Sequence, residues 1–68
     1  MDWKALVGAN IRKLRVRKKL SQAQLAHDSE SDLTSLGGIE RGKRNPSLMV
    51  LVRIADRLGV HPSKLLAD

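Results

Sequence analysis

Apolar residues recur along this chain at helical intervals and never in sustained alternation. Trp3, Val7, Ile11 and Leu14 step by four, four and three residues, which draws one stripe along a helix over residues 3–18. Asp2 stands where it can cap that helix. Ser21 is the next N-cap, with Gln24 at the capping-box position. It opens a short helix over residues 22–29 whose buried face is Leu25 and Ala26. Asp28, Ser29, Glu30 and Ser31 break the pattern, and Asp32 caps a third run, residues 33–40, with Leu33, Leu36 and Ile39 in step. Gly42 closes it. The "KRNP" segment is a turn, because the residue before a proline resists the helical conformation. Ser47 caps a fourth helix with Leu48, Leu51, Ala55 and Leu58 at helical spacing, and Gly59 ends it. Pro62 then opens a last short helix carrying Leu65 and Leu66.

The pattern therefore predicts an all-α fold of five helices in one domain, residues 1–68, with no strand, repeat or linker. Helices two and three are short and joined by about four residues. That is the anatomy of a helix-turn-helix, in which the second helix of the pair lies in the DNA major groove. Ordinary packing of small helices produces the same anatomy, so charge and chemistry have to separate the two readings.

Charge favours a polyanion. Thirteen Lys and Arg oppose seven Asp and Glu, a net +6. The cations cluster at residues 12–19 and again at Arg41, Lys43 and Arg44, the pattern of an electrostatic footprint for nucleic acid. Trp3 is the only aromatic side chain of the Phe, Tyr and Trp type. Single-stranded nucleic acids are read largely by stacking on such rings, so duplex DNA is the favoured partner.

Other chemistries are poorly served. A chain this short buries only about 60% of its unfolded surface, leaving room for one small core and no deep cleft. There are no cysteines, and His27 and His61 lie far apart, so no metal site or other cofactor is expected. Ser21, His27 and Asp28 include the residue types of a hydrolase triad, but neighbouring helical positions point apart, and no enzyme activity is expected. The longest apolar run, residues 48–52, is far below the ~20 residues of a membrane helix. No signal peptide pattern opens the chain. The expected location is the cytoplasm, with no membrane partner and no small-molecule ligand.

Three segments, "NIRKLRVRKKLSQAQLA", "LTSLGGIERGKRNPSL" and "LVRIADRLGVHPSKLL", resemble the Cro and phage-repressor (Xre-like) helix-turn-helix family. Within it they are most similar to the small controller proteins of restriction–modification systems. The resemblance runs from about Val7 to Leu66 and implies a lambda-repressor-like domain with its helix-turn-helix unit at about residues 21–41. It implies that Ser21 and Gln22 abut a DNA phosphate, and that Leu33, Thr34, Ser35, Gly37 and Gly38 are the outward, base-reading positions. Arg41, Lys43 and Arg44 would contact phosphates, while Leu36 and Ile39 face the core. Arg15 and Glu40 stand where the family places an ion pair, which if partly exposed contributes only ~0–1 kcal/mol. Dimerisation is implied, with Met49, Val52, Val60, Leu65 and Leu66 as candidates for the interface. The implied function is a dimeric, sequence-specific transcriptional regulator on a promoter or operator, with RNA polymerase a further candidate partner.

Four features depart from the family's habit. Glu30 fills a turn position that is normally glycine, Ser31 one that is normally apolar, and Ser35 one often held by a large side chain. Gly37 and Gly38 lie inside the third helix, each costing ~0.8–1.0 kcal/mol relative to alanine. That helix carries no Arg, Asn or Gln to make bidentate base contacts. The expectation is a grip dominated by backbone contact and shape, steep in salt and modest in specificity. The alternative is an antitoxin-like or scaffold module whose helix-turn-helix has lost base reading.

Overall fold

A computed structural model describes residues 1–68. It contains α1 (Trp3–Arg17), α2 (Gln22–Asp28), α3 (Leu33–Glu40) and α4 (Leu48–Leu58), followed by a short 3-10 helix, Pro62–Leu66. The fifth predicted helix is thus a 3-10 turn, and the fold has four α-helices. Five residues opened by a proline leave little for an α-helical ladder; the segment is held instead by Lys64 N donating to His61 O at 2.9 Å. Asn10 Nδ2 satisfies its far end, donating to the carbonyls of Leu65 (3.0 Å) and Ala67 (2.7 Å).

The boundaries follow from side-chain caps. Asp2, Ser21, Asp32 and Ser47 each accept from a backbone N–H three residues on. Gly42 and Gly59 end α3 and α4 at φ 74° and 72°. Two non-glycine residues also take the left-handed conformation, Lys19 after α1 (φ 59°) and Glu30 in the α2–α3 turn (φ 57°). At the turn position that is normally apolar in the resembled family, Ser31 lies with its hydroxyl 3.1 Å from that of buried Ser29, whose Oγ donates to Leu25 O at 2.7 Å. A hydrogen-bonded relay replaces the apolar anchor in this turn.

Val7, Ile11, Leu25, Ala26, Leu36, Ile39, Ile54, Ala55, Leu58 and Leu65 form one core. Two expected stripes are corrected. Trp3 is 56% exposed, so the buried face of α1 begins at Val7. Leu48 is also exposed and Leu51 only half-buried, while Ala55 and Leu58 are buried as their spacing predicts and Ile54 joins them.

The seating of α3 on α1 depends on Gly8, which is buried in mid-helix. A Cβ at that position would lie 2.2 Å from Ile39 O and 2.8 Å from Glu40 O. Nothing else in the molecule brings two helix backbones so close to a glycine. Gly8→Ala is expected to force α1 and α3 apart and lose about 1–3 kcal/mol, lowering Tm by ~4–8 °C per kcal/mol in a domain of this size. Gly37→Ala is the contrast. Its Cβ would meet the flexible tip of Arg41 at 3.1 Å and Gln22 Oε1 in ordinary contact at 3.9 Å, so improved helix propensity raises stability by up to ~1 kcal/mol. Thermal melts of the two variants separate a packing glycine from a tolerated one.

Candidate nucleic-acid interface

α2 and α3 meet across the turn at residues 29–32, and α3 packs on both α1 and α2. Its inner face, Leu36 and Ile39, is buried, and Glu40 follows them inward. Arg15 reaches Glu40 with two donors: Nε to Oε2 at 2.7 Å and Nη2 to Oε1 at 3.1 Å. Gln22 Nε2 also donates to Glu40 Oε1 at 3.0 Å, and Arg15 Nη1 donates to Leu20 O at 2.8 Å. The Glu40 side chain is 2% exposed and that of Arg15 12%. This is not the partly exposed pair expected from sequence. Loss of one partner strands a charge that water cannot reach. The network pins the end of α3 to α1 and to the start of α2 at one point. The side chain of Gln22, expected to face a phosphate, is turned onto this carboxylate.

The start of α3 is fixed by Asp32, whose Oδ1 accepts from Ser35 N at 2.6 Å and whose Oδ2 accepts from Ser35 Oγ at 3.2 Å. The backbone bond from Ser35, then its hydroxyl, hold the Asp32 carboxyl below the usual carboxylate range. Asp28 at the end of α2 is lowered too, chiefly by its hydrogen bond from Arg57 of α4 and further by Gln24 Nε2 at 2.8 Å.

On the outer face Thr34 is open to solvent and Leu33 is 51% exposed. Ser35 is half-buried and occupied with Asp32 and Arg44. Gly37 and Gly38, expected to be outward and open, are both buried. They point outward, yet the side chains of Arg41 and Arg44 lie over them, a placement that residue spacing along a helix cannot reveal. Arg41, Lys43 and Arg44 are exposed, and none reaches a carboxylate; the ion pairs of the molecule are Arg15–Glu40 and Arg57–Asp28.

A helix-turn-helix family model matches residues 11–65. The chain belongs to the Xre-like helix-turn-helix family. Control protein C.MunI of a Mycoplasma species is 41% identical over 68 residues, covering 98% of this chain and 92% of that protein. The uncharacterized HTH-type transcriptional regulator y4dJ of Sinorhizobium fredii is 40% identical over 60 residues, covering 88% of this chain and 78% of its own. Among solved structures, the restriction-modification controller protein C.AhdI from Aeromonas hydrophila superposes with a TM-score of 0.88 at 40% identity, over 91% of this chain and 94% of that one. Membership places the chain among helix-turn-helix transcription regulators.

Away from the helix-turn-helix, Met49, Val52 and Leu66 are 56%, 36% and 46% exposed. Val60 is half-buried against the core and Leu65 is fully buried, so Leu65 is removed from the candidate interface: the 3-10 turn aims it inward. Leu48, which periodicity had assigned to the core, joins the exposed set, and no helix is long and apolar enough to cross a membrane.

Two outcomes test this reading of the helix-turn-helix. Arg15→Met should cost about 3–5 kcal/mol in urea melts, with much of the loss restored by adding Glu40→Gln, which removes the stranded charge. Asp32 has a depressed native pKa, so the unfolded chain binds its proton first. Its contribution is therefore complete above the ordinary aspartate pKa of ~3.9 and is lost as pH falls through the lower native value. Asp32→Asn keeps a competent cap, and its stability should fall less steeply than wild type in melts taken below about pH 4.

Proposed function

We propose that this chain is a sequence-specific transcriptional regulator that binds duplex DNA as a homodimer, with α3 along the major groove. One observation carries the reading: the outer side of α3 is exposed at Leu33 and Thr34, is covered at Gly37 and Gly38 by the side chains of Arg41 and Arg44, and these two cations and Lys43 have no carboxylate within ion-pair distance. Unpaired cations beside a narrow helix supply phosphate contacts and register on a duplex. Ser21, at the start of α2, borders the same unit and would meet a phosphate from the other side.

Dimerisation is part of this reading. The molecule measures 29 × 22 × 20 Å, and the dimer would set its two copies of α3 against half-sites ~34–36 Å apart. The exposed apolar side chains of Met49, Val52 and Leu66 offer the contact, and Val60, half-buried against the core, is a further candidate. The shape of the action is simple: residence on promoter DNA blocks polymerase or presents the cationic end of α1 to it. No enzymatic step is needed.

The test uses duplex DNA from immediately upstream of the coding sequence. Wild type should retard it in a gel, with affinity falling steeply with salt, about 0.9 in log–log slope per phosphate contact. Changing Arg41, Lys43 and Arg44 together to Glu should abolish retardation while leaving the helical circular dichroism intact. Equal behaviour of wild type and triple variant would defeat the DNA reading. Met49→Asp with Val52→Asp should yield a monomer in sedimentation equilibrium, binding the same duplex more weakly and without cooperativity.

A further inference from the structure

The outer face of α3 holds almost nothing that reads a base. Thr34, Gly37, Gly38 and Arg41 stand at i, i+3, i+4 and i+7, the spacing of one helical face. Two of these four positions have no side chain, and the helix proper offers a threonine hydroxyl as its one polar group there. Yet the face is not bare. Arg44, which follows α3 in the chain, folds back and lies lengthwise on Gly38. A Cβ on Gly38 would fall 2.7 Å from Arg44 Cγ, 2.9 Å from Cδ and 3.1 Å from Nε. Its Nη1 continues toward the start of the helix, to within 3.4 Å of Ser35 Oγ. The turn that sends it there is held by the backbone, with Lys43 N and Arg44 N both donating to Gly38 O, at 2.9 and 3.2 Å.

Three features set this arginine apart from a simple phosphate clamp. Its stem runs along the α3 surface, in a track that exists because residue 38 lacks a side chain. Its guanidinium approaches the Ser35 hydroxyl, and Asp32, on which its charge acts, lies beyond ion-pair distance and leaves its donors unoccupied. It sits on the face that the proposed function lays into the major groove. We propose that Arg44 is the base-reading side chain of this protein, its planar donor fork directed at the O6 and N7 edge of a guanine, and that Gly38 is the seat that places it. This rests on the DNA-binding reading above. An arginine fork matches that pair of acceptors as no other side chain does, and here it substitutes for the absent readers of α3. Lys43, adjacent in sequence and exposed, has no such seat and serves as the phosphate contact for comparison.

The experiment selects duplexes from a pool with a randomised central segment, using wild type, Arg44→Ala, Gly38→Ala and Lys43→Ala, each first checked for cooperative melting. Wild type should enrich a motif with a G·C pair in each half-site, and changing that pair should weaken binding about five- to 140-fold, the equivalent of one bidentate contact. Arg44→Ala should bind matched and changed duplexes within about twofold of each other. Gly38→Ala should blunt the same discrimination, because its Cβ displaces the Arg44 stem, while still melting cooperatively. Lys43→Ala should weaken both duplexes equally and reduce the salt slope by roughly one. If Arg44→Ala keeps the full G·C preference and loses affinity uniformly, Arg44 is a phosphate ligand and the inference fails with DNA binding intact. A wild type that retains duplex but enriches no sequence also overturns it. Failure of wild type to retain any duplex overturns the proposed function itself.

Discussion

Ile39 and Glu40 present their carbonyl oxygens to the spot where any side chain at position 8 would begin. That contact fixes how deeply α3 can sit against α1, and most of the molecule's working geometry depends on it. The buried Arg15–Glu40–Gln22 network then sets the rotation of α3 and its offset from α2. Depth comes from a backbone contact and register from charge. Neither would position the helix alone. A close approach without the carboxylate anchor leaves α3 free to slide, and the anchor without Gly8 would hold it at the wrong distance. α1 is therefore a template as well as a cationic surface.

This explains how a poor helix is tolerated at the centre of the fold. α3 has eight residues, two of them adjacent glycines, and isolated helices of that length are not stable in water. Its ends are fixed from outside: Asp32 holds the first turn, and Lys43 and Arg44 donate back to Gly38 O at the last. Leu36 and Ile39 bury its inner side completely or nearly so. Once tertiary contacts impose the helix, side chains on the outer face are unnecessary for folding, and the glycines there become sites that other residues can occupy.

Much of the fold could be read from sequence because caps and apolar spacing are local signals. Ser21, Asp32, Ser47, Gly42 and Gly59 each mark a boundary that the structure keeps. What escaped was non-local. Gly8 looks like a mild blemish in a helix until α3 is placed beside it. The strength of the Arg15–Glu40 pair depends on burial, which spacing does not encode. Leu48 and Trp3 obey the helical period yet stand at the ends of their helices, where the period continues past the edge of the core. At the site, the outward direction of positions 37 and 38 was legible, but their cover was not, because it is supplied by residues beyond the helix. Ser31 leaves the turn without an apolar anchor, and the neighbouring hydroxyl of Ser29 that takes its place gives no periodic signal.

The distribution of charge shows which part of the +6 does structural work. Of the acidic residues, Asp2 and Asp32 cap helices, Asp28 joins α2 to α4, and Glu40 anchors α3. Most of the negative charge is thereby tied into hydrogen bonds, within the first turn of a helix or between helices. Among the cations only Arg15 and Arg57 have a carboxylate within ion-pair distance. Such an arrangement strains the folded chain through mutual repulsion, a cost that an ordinary solubilising surface of mixed sign avoids. Screening relieves that repulsion, whereas it weakens attraction to a polyanion. Added salt thus acts in opposite directions on the fold and on its partner, and the same cations are responsible for both.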